Sequence, residues 1–309
     1  MPFALCYSSS GGVGGEMFNL SIGIMAHNEE ANIGRLLHSV LDQRFTHGHL
    51  KEIIVVASGC TDRTEEIVRK FAEKDPRIRL ISQASREGKA SAINLFLANA
   101  SGDIFILESA DTIPNDDCLD QLVTPFEDPS IGMTGARPIP VNQKDSFVGF
   151  TVHLMWYLHH KIALLSPKLG ELVAFRSFVR QIPKDTAVDE ASIEAIVREA
   201  GYRLCYVPEA IVNNKGPETV RDFIKQRRRI AAGHQNLSRS QKYQVSTSSP
   251  LTILGVLIRE HSWGFKSTLW TFGAIGLEIV GRGLGYYDLY IKKKNPFVWD
   301  IARTTKDLG

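Results

Sequence analysis

Several features that mark common protein classes are scarce in this sequence, and each scarcity excludes something. Lys and Arg total 36 against 34 Asp and Glu, a formal charge of +2. Bulk electrostatics therefore give no case for a nucleic-acid binder, and any anion site has to be local. The four cysteines, Cys6, Cys60, Cys118 and Cys205, lie far apart and form no CxxC pair. That excludes a close-spaced disulfide framework or zinc motif and fits reduced thiols in a cytosolic compartment. The N-terminal MPFALCYSSSGGVGGEM has neither the basic nor the apolar region of a signal peptide. Its glycine run follows no strand, so it reads as a flexible lead-in rather than a phosphate loop. Leu269 to Ile291 is the most membrane-like stretch, but Glu278, Arg282 and Asp288 interrupt it. Its longest apolar run of about nine residues is too short for a bilayer, which takes about 20.

What is present is a regular alternation. With 309 residues, 43% of them hydrophobic, the chain can bury one large or two modest cores. Leu20–Ala26, Glu52–Ala57, Ile78–Gln83 and Asp103–Leu107 read as short buried strands. Glu29–Leu41, Asp62–Lys74 and Lys89–Ala100 between them have apolar residues at helical spacing. Such β-α-β text predicts an α/β fold with a mostly parallel, Rossmann-like sheet, helices on both faces and ligands at the carboxyl ends of the strands. After about Pro138 come a long aromatic and His-rich helix (FVGFTVHLMWYLHHKIALL), a short strand (GELVAF), a helix from about Asp189 to Gly201 and a strand over Tyr202–Val207. A basic helical segment over Pro217–Gln241 follows them.

The loops after the first, second and fourth strands are Ala26-His27-Asn28-Glu29-Glu30, Ser58-Gly59-Cys60-Thr61-Asp62 and Glu108-Ser109-Ala110-Asp111. Singly they have ordinary explanations: Asp62 as a helix cap, Asp111 as a turn residue. Three acidic loops at one edge can hold a nucleoside and a divalent metal, because carboxylates suit hard cations and the cation neutralises a diphosphate.

In order, NEEANIGRLL, VVASGCTDRTEEIV, REGKASAIN, ILESADTIP, GELVAFR, AVDEASIEAIVREAGYRLCYVPEA and QRRRI resemble the successive signatures of family 2 glycosyltransferases from about Leu20 to Leu237. The resemblance implies the glycosyltransferase-A fold and inverting transfer of a sugar from a nucleotide diphosphate, with uridine favoured over guanosine. Manganese or magnesium would be the cofactor. Ala26, Asn28 and Glu29 would line the nucleotide pocket, with Ser58, Asp62, Lys89 and Ala110 as further donor contacts. Asp111 matches the last carboxylate of the family's DxD motif and would hold metal and diphosphate. Ser109 stands where that motif's first Asp would be, and Ala57-Ser58 replaces a common acidic pair.

The family places its general base in an acidic pair opening the helix before Gly201-Tyr202. Here that pair is Asp189-Glu190; counting back from Gly201 puts the base at Glu190, and Asp189 is the other candidate. Glu171 and Arg176 would form the acceptor pocket, and Gln226 and Arg229 match the fixed positions of the QxxRW signature. Ile230 replaces its Trp, which argues for single addition over processive polymerisation. His153, His159 and His160 read as packing residues rather than metal ligands.

This organises the chain as a lead over 1–17, a catalytic domain over 18–245 with a nucleotide half to about 137, and a helical tail over 246–309. Broken apolar text with flanking Trp270, Tyr286, Tyr287 and Trp299 and three lysines from Lys292 makes that tail either a membrane-interfacial element or an amphipathic helix packed on the domain. The resemblance then implies a lipid-linked or carbohydrate acceptor and a cytoplasmic location at the inner face of a membrane. A sugar nucleotidyltransferase and a non-catalytic sugar-nucleotide-binding subunit are the alternative readings.

Overall fold

A computed structural model of the protein describes residues 17–245, 250–260 and 264–293. The N-terminal glycine run, Cys6, Lys294, Trp299 and the WDIARTTK ending lie outside the described residues. Among those described, one sheet contains β1 (Phe18–Ala26), β2 (Gly48–Ser58), β3 (Ile78–Gln83), β4 (Ile104–Ser109), β5 (Thr112–Pro114), β6 (Ile131–Pro140), β7 (Val173–Arg176) and β8 (Arg203–Asn214). Their spatial order is β3-β2-β1-β4-β7-β6-β8-β5.

β1 pairs in parallel with β2 and β4, and β2 with β3. Helices cover both faces of these strands, which is why their text is nearly continuous in apolar residues. On one face Leu20, Ile22, Ile24, Ile104 and Ile106 meet α1 (Ile33–Leu41), α2 (Thr64–Ala72) and α4 (Cys118–Val123). α1 contributes Ile33, Leu36, Leu37 and Val40, one stripe of a 3.6-residue period. The other face receives α3 (Lys89–Asn99) and α6 (Asp189–Glu199) through Ile93, Phe96, Ile193 and Val197. Gly23 of β1 lies under Phe96; a Cβ there would sit 2.6 Å from the ring, so only glycine lets α3 come this close.

The second half departs from the regular rhythm. β7 runs antiparallel to both β4 and β6, and β5 antiparallel to β8, while β6 and β8 are parallel. β6 (IGMTGARPIP) does not read as a strand because of its glycines and prolines. The sheet accepts Pro138 and Pro140 because β7 pairs only with Met133–Gly135, leaving the prolines bonded on the β8 side alone. β8 extends past Val207, where the sequence reading ends. Its pairing shifts between Tyr206 and Ile211, so Pro208 falls in a bulge and the ladder resumes beyond it.

Helices α5 (Phe147–Leu165) and α7 (Val220–Ser240) start at true caps, Ser146 accepting from the Gly149 N–H at 3.0 Å and Thr219 from that of Asp222 at 3.2 Å. α8 (Pro250–Glu260) and α9 (Phe265–Tyr286) pack on α5, and α9 also packs on α7. Gly281 and Gly285 make that second contact possible. A Cβ at either would stand 2.6 Å from Arg227 Cβ or from the Arg228 carbonyl. Among the described residues no helix is long and apolar enough to cross a membrane.

Candidate active site

The parallel strands deliver their following loops to one edge, and those loops are tied to each other. Asn28, at φ +54°, accepts from the Thr61 N–H at 2.8 Å and donates to its hydroxyl at 3.2 Å. Asp62 accepts from the Glu30 N–H at 3.0 Å and from the N–H and hydroxyl of Thr64, opening α2, at 3.0 and 2.6 Å. His27 joins the same edge, its Nδ1 2.6 Å from the Ser58 carbonyl.

Above these loops lies a cavity of about 1590 Å³. Ala26, Glu29, Ser58, Ser109 and Asp111 line it from the sheet, Lys89 from α3, Asp189 and Glu190 from α6, Glu171 from the approach to β7, and Gln226 and Arg229 from α7. Residues from seven places in the chain thus meet in one concavity. Lys89 Nζ donates to Glu190 Oε1 at 2.8 Å and to the Ser109 hydroxyl at 3.3 Å, and lies 3.9 Å from Asp189 Oδ2. Both carboxylates occupy the first turn of α6, where the helix dipole favours negative charge.

The two members of this pair titrate in opposite directions. Burial works against charge on Glu190, but Lys89 overrides it and holds the carboxyl down at about 2. Asp189 is 2% exposed, and burial pushes it up to about 7 against the pull of Lys89. Its Oδ1 has no hydrogen-bond partner. Glu171 is held at φ +64°, a strained setting for a residue with a Cβ, and burial with the charges of Asp111 and Glu190 pushes it up to about 7. Arg229 is half-buried and feels the charges of Asp189, Glu190, Glu171 and Asp111. Carboxylates therefore outnumber the cations near them, Lys89, Arg229 and Lys168.

A divalent cation fits this surplus. Asp111 and the Ser109 hydroxyl line the cavity at the DxD position, and no three or more His, Cys, Asp or Glu residues converge among the described residues as a closed cage would need. Magnesium-type sites commonly use one or two carboxylates and fill the remaining positions with water and substrate phosphate.

Four of the residues named from the sequence stand elsewhere. Asn28 and Asp62 join the first two loops and are not among the cavity's lining residues. Ala110 is buried in the core beneath the loop. Arg176 is corrected most clearly: β7 runs antiparallel, pairing Arg176 with Ile104 at the far end of β4, where its guanidinium donates to the Ile131 and Phe126 carbonyls at 2.8 and 2.9 Å. Glu108 points to the opposite face of β4, accepts from Thr112, and is pushed by burial up to about 8. His153 is bonded to the Asn142 carbonyl and His160 to Tyr206, whereas His159 lines the cavity against Trp156. The sequence reading missed His27, Lys168 and Trp156 as lining residues. His27 alone had a signal, standing between two residues already named.

Arg227 and Arg228 also face inward but are occupied. Arg227 donates twice to Glu278 of α9, at 2.6 and 2.8 Å, Arg282 donates to the same carboxylate at 2.7 Å, and Arg228 pairs with Asp288.

Known proteins match this arrangement along most of the chain. Residues 21–181 fit the model described as Glycosyl transferase family 2, and residues 104–280 that of Glycosyl transferase family group 2. The chain belongs to glycosyl transferase family 2. Among its relatives, the Bacillus subtilis protein "Probable glycosyltransferase YdaM" is 28% identical over 239 residues, 71% of this chain and 56% of the relative. The poly-beta-1,6-N-acetyl-D-glucosamine synthase of Staphylococcus aureus is 28% identical over 254 residues, 77% of this chain and 60% of the relative. The chain thus spans between half and two thirds of these relatives' lengths. A mannosyltransferase from Pyrobaculum calidifontis, solved with GDP-Man and Mn2+, superposes with a TM-score of 0.62 at 21% identity, over 91% of this chain and 87% of that one. At that identity it shows the fold, which is of the glycosyltransferase-A type with added C-terminal helices.

Proposed function

We propose that this member of family 2 moves a sugar, with inversion, from a nucleotide diphosphate donor to an acceptor hydroxyl or phosphate, by single addition. The observation that carries this is the cluster in which Asp189 stands buried, 3.9 Å from a Lys89 ammonium that is hydrogen-bonded to Glu190 instead, over Asp111 at the strand edge. Asp189 suits the general base, because a base works best with a pKa near the operating pH. The sequence count favours Glu190, but a carboxylate held by Lys89 is a weak proton acceptor. Arg229, Lys89 and Gln226 would orient the diphosphate, the arginine through its forked donors. Manganese or magnesium at Asp111, when bound, would neutralise charge on the departing diphosphate. The mannosyltransferase solved with GDP-Man and Mn2+ supports the donor class and the cation. Ala26, Glu29 and Ser58 would face the nucleoside, uridine being favoured and guanosine the alternative.

The acceptor reading is lipid-linked substrate at a membrane surface, supported by the exposed apolar residues of α9 and the lysines at its ends. Donor turnover tests the whole reading. UDP- and GDP-sugars with manganese should yield free nucleoside diphosphate; pyrophosphate release would point to nucleotidyl transfer, and binding without release to a non-catalytic subunit.

A further inference from the structure

Asp189 and Glu190 open α6, and one turn further along the same helix stands a third acid. Glu194 follows Glu190 by four residues and is 0% exposed. It is not among the residues that line the cavity, so it can reach the reacting atoms only through the segments that it holds. A buried carboxylate is costly unless donors compensate it, and an apolar residue would fill this position at less cost. The donors that compensate Glu194 come from two distant stretches of chain.

Glu194 Oε1 accepts from the Leu169 main-chain N–H at 2.7 Å, and its Oε2 accepts from the Tyr243 hydroxyl at 2.9 Å. Lys168 adds positive charge and donates to the Leu169 carbonyl at 2.8 Å. Leu169 is fully buried, and its side chain lies over Gly135 of β6, where a Cβ would stand 2.6 Å away. Glu194 thus holds the main chain of a residue whose side chain is already seated. Two residues on, Glu171 turns into the cavity at φ +64°, with the Leu172 N–H closing back on the Gly170 carbonyl at 2.9 Å. There it feels the charges of Asp111, Glu190, Lys89 and Arg229. On the other side Tyr243 packs against Val188 and Ala191, which flank the Asp189–Glu190 pair.

A residue in a strained left-handed setting keeps it only where its surroundings over-determine it. The bond from Leu169 to Glu194 ties the Glu171 turn to the helix that carries Asp189 and Glu190. We infer that Glu194 is a positioning residue: through Leu169 it sets the Glu171 carboxyl against Asp111 and the Asp189–Glu190 pair, and so governs turnover without touching substrate. The inference rests on the glycosyl-transfer reading and adds to it a residue outside the cavity. Reach matters here more than charge. An amide of the same length can accept from the Leu169 N–H while its amino group donates to the Tyr243 oxygen, whereas a shorter carboxylate cannot span both.

The test measures nucleoside diphosphate release from UDP- and GDP-sugars with manganese, using the full chain. Glu194→Asp, one methylene short of Leu169, should lower kcat at least about tenfold, since a small misplacement at a reacting centre can cost about a hundredfold. Glu194→Leu, which fills the space without an acceptor, should do the same. Donor KM and manganese-dependent nucleotide affinity should stay unchanged in both, and Glu194→Gln should restore most of the rate. In a Glu171→Gln background, itself slowed, Glu194→Asp should add less than about twofold, because the two residues act as one unit. Exchange of the Leu169 amide hydrogen, followed by NMR, should be fast in Glu194→Asp and slow in Glu194→Gln. Losses that multiply in the double variant, a normal rate for Glu194→Asp, or a loss that Glu194→Gln shares would overturn the inference and leave sugar transfer standing. A wild-type chain that binds these donors but releases no nucleoside diphosphate would overturn the transfer reading, and the positioning role with it.

Discussion

Helix α7 carries three successive arginines into two electrostatic settings. Arg227 and Arg228 each meet a carboxylate from the tail, Glu278 or Asp288. One residue further on, Arg229 is half-buried within the field of four carboxylates. In the first setting each carboxylate is matched by arginine at bonding distance, Glu278 by both Arg227 and Arg282 so that it is held at about 2 against its own burial, and the side chains fasten α7 to the tail. In the second, carboxylates are in excess, and burial drives Asp189 and Glu171 up to about 7. Directly bonded, partly exposed pairs hold one element in register with another, whereas a buried carboxyl with a raised pKa and no hydrogen-bonded cation of its own is the kind of group that handles protons or cations. The arginine run in the sequence holds both kinds and does not distinguish them.

The sharpest way to break this contrast is at its unbalanced end. Asp189→Asn should lower the rate of nucleoside diphosphate release by about a hundred- to ten-thousand-fold with donor binding retained. Glu190→Gln should lose less rate, while freeing Lys89. A larger loss at Glu190 would return the base to the position that the sequence count gives. Asp111→Asn comes next. It should abolish manganese-enhanced nucleotide binding in a folded protein, and unchanged manganese dependence would remove Asp111 from the site.

Acidity separates the two settings by a smaller effect. Because the Asp189 carboxyl is raised, the base is protonated at low pH, so kcat/KM should climb with pH to a plateau above about 7. The sign for stability is opposite. The neutral form favoured by burial contributes fully below the unfolded value, near 4, and that contribution is lost as pH rises through about 7. Asp189→Asn should therefore raise the melting temperature at pH 8 relative to wild type and change it little at pH 4. A pH-independent rate would show that Asp189 does not titrate in the turnover step.

The smallest effect on turnover belongs to the matched end. Glu278→Gln weakens charge-assisted bonds to Arg227 and Arg282 in a partly exposed setting and should cost about 1–2 kcal/mol of stability. Chemical denaturation would measure that loss, with turnover within a few-fold of normal. Normal stability with lost activity would mean that Arg227 belongs to the reacting site and that the two settings are one.

Much of the donor half was legible in the sequence. Apolar runs of strand length alternate there with helical stripes, and that alternation obliges the loops after β1, β2 and β4 to share an edge, bringing Ala26, Glu29, Ser58 and Asp111 together. The second half was less legible because its signals are not local. β6 is rich in glycine and proline and becomes a strand only beside β7 and β8. Arg176 looked like an acceptor contact until the reversed direction of β7 sent it to the opposite end of the sheet.

The sequence by itself therefore determined the α/β architecture of the first half, the acidic character of the strand-end loops and the two carboxylates opening α6, since each depends on neighbours within one element or one turn. Only the tertiary structure decided which of those two carboxylates is bonded to a lysine and kept charged. Lys89 reaches Glu190 across 101 residues of chain, and Asp189 is left buried without an equal partner. The same holds for the arginines of α7, whose roles are divided by whether a carboxylate of α9 or of the residues just after it lies opposite. Pairing at that separation depends on how finished elements pack, and no periodicity within a single element encodes it.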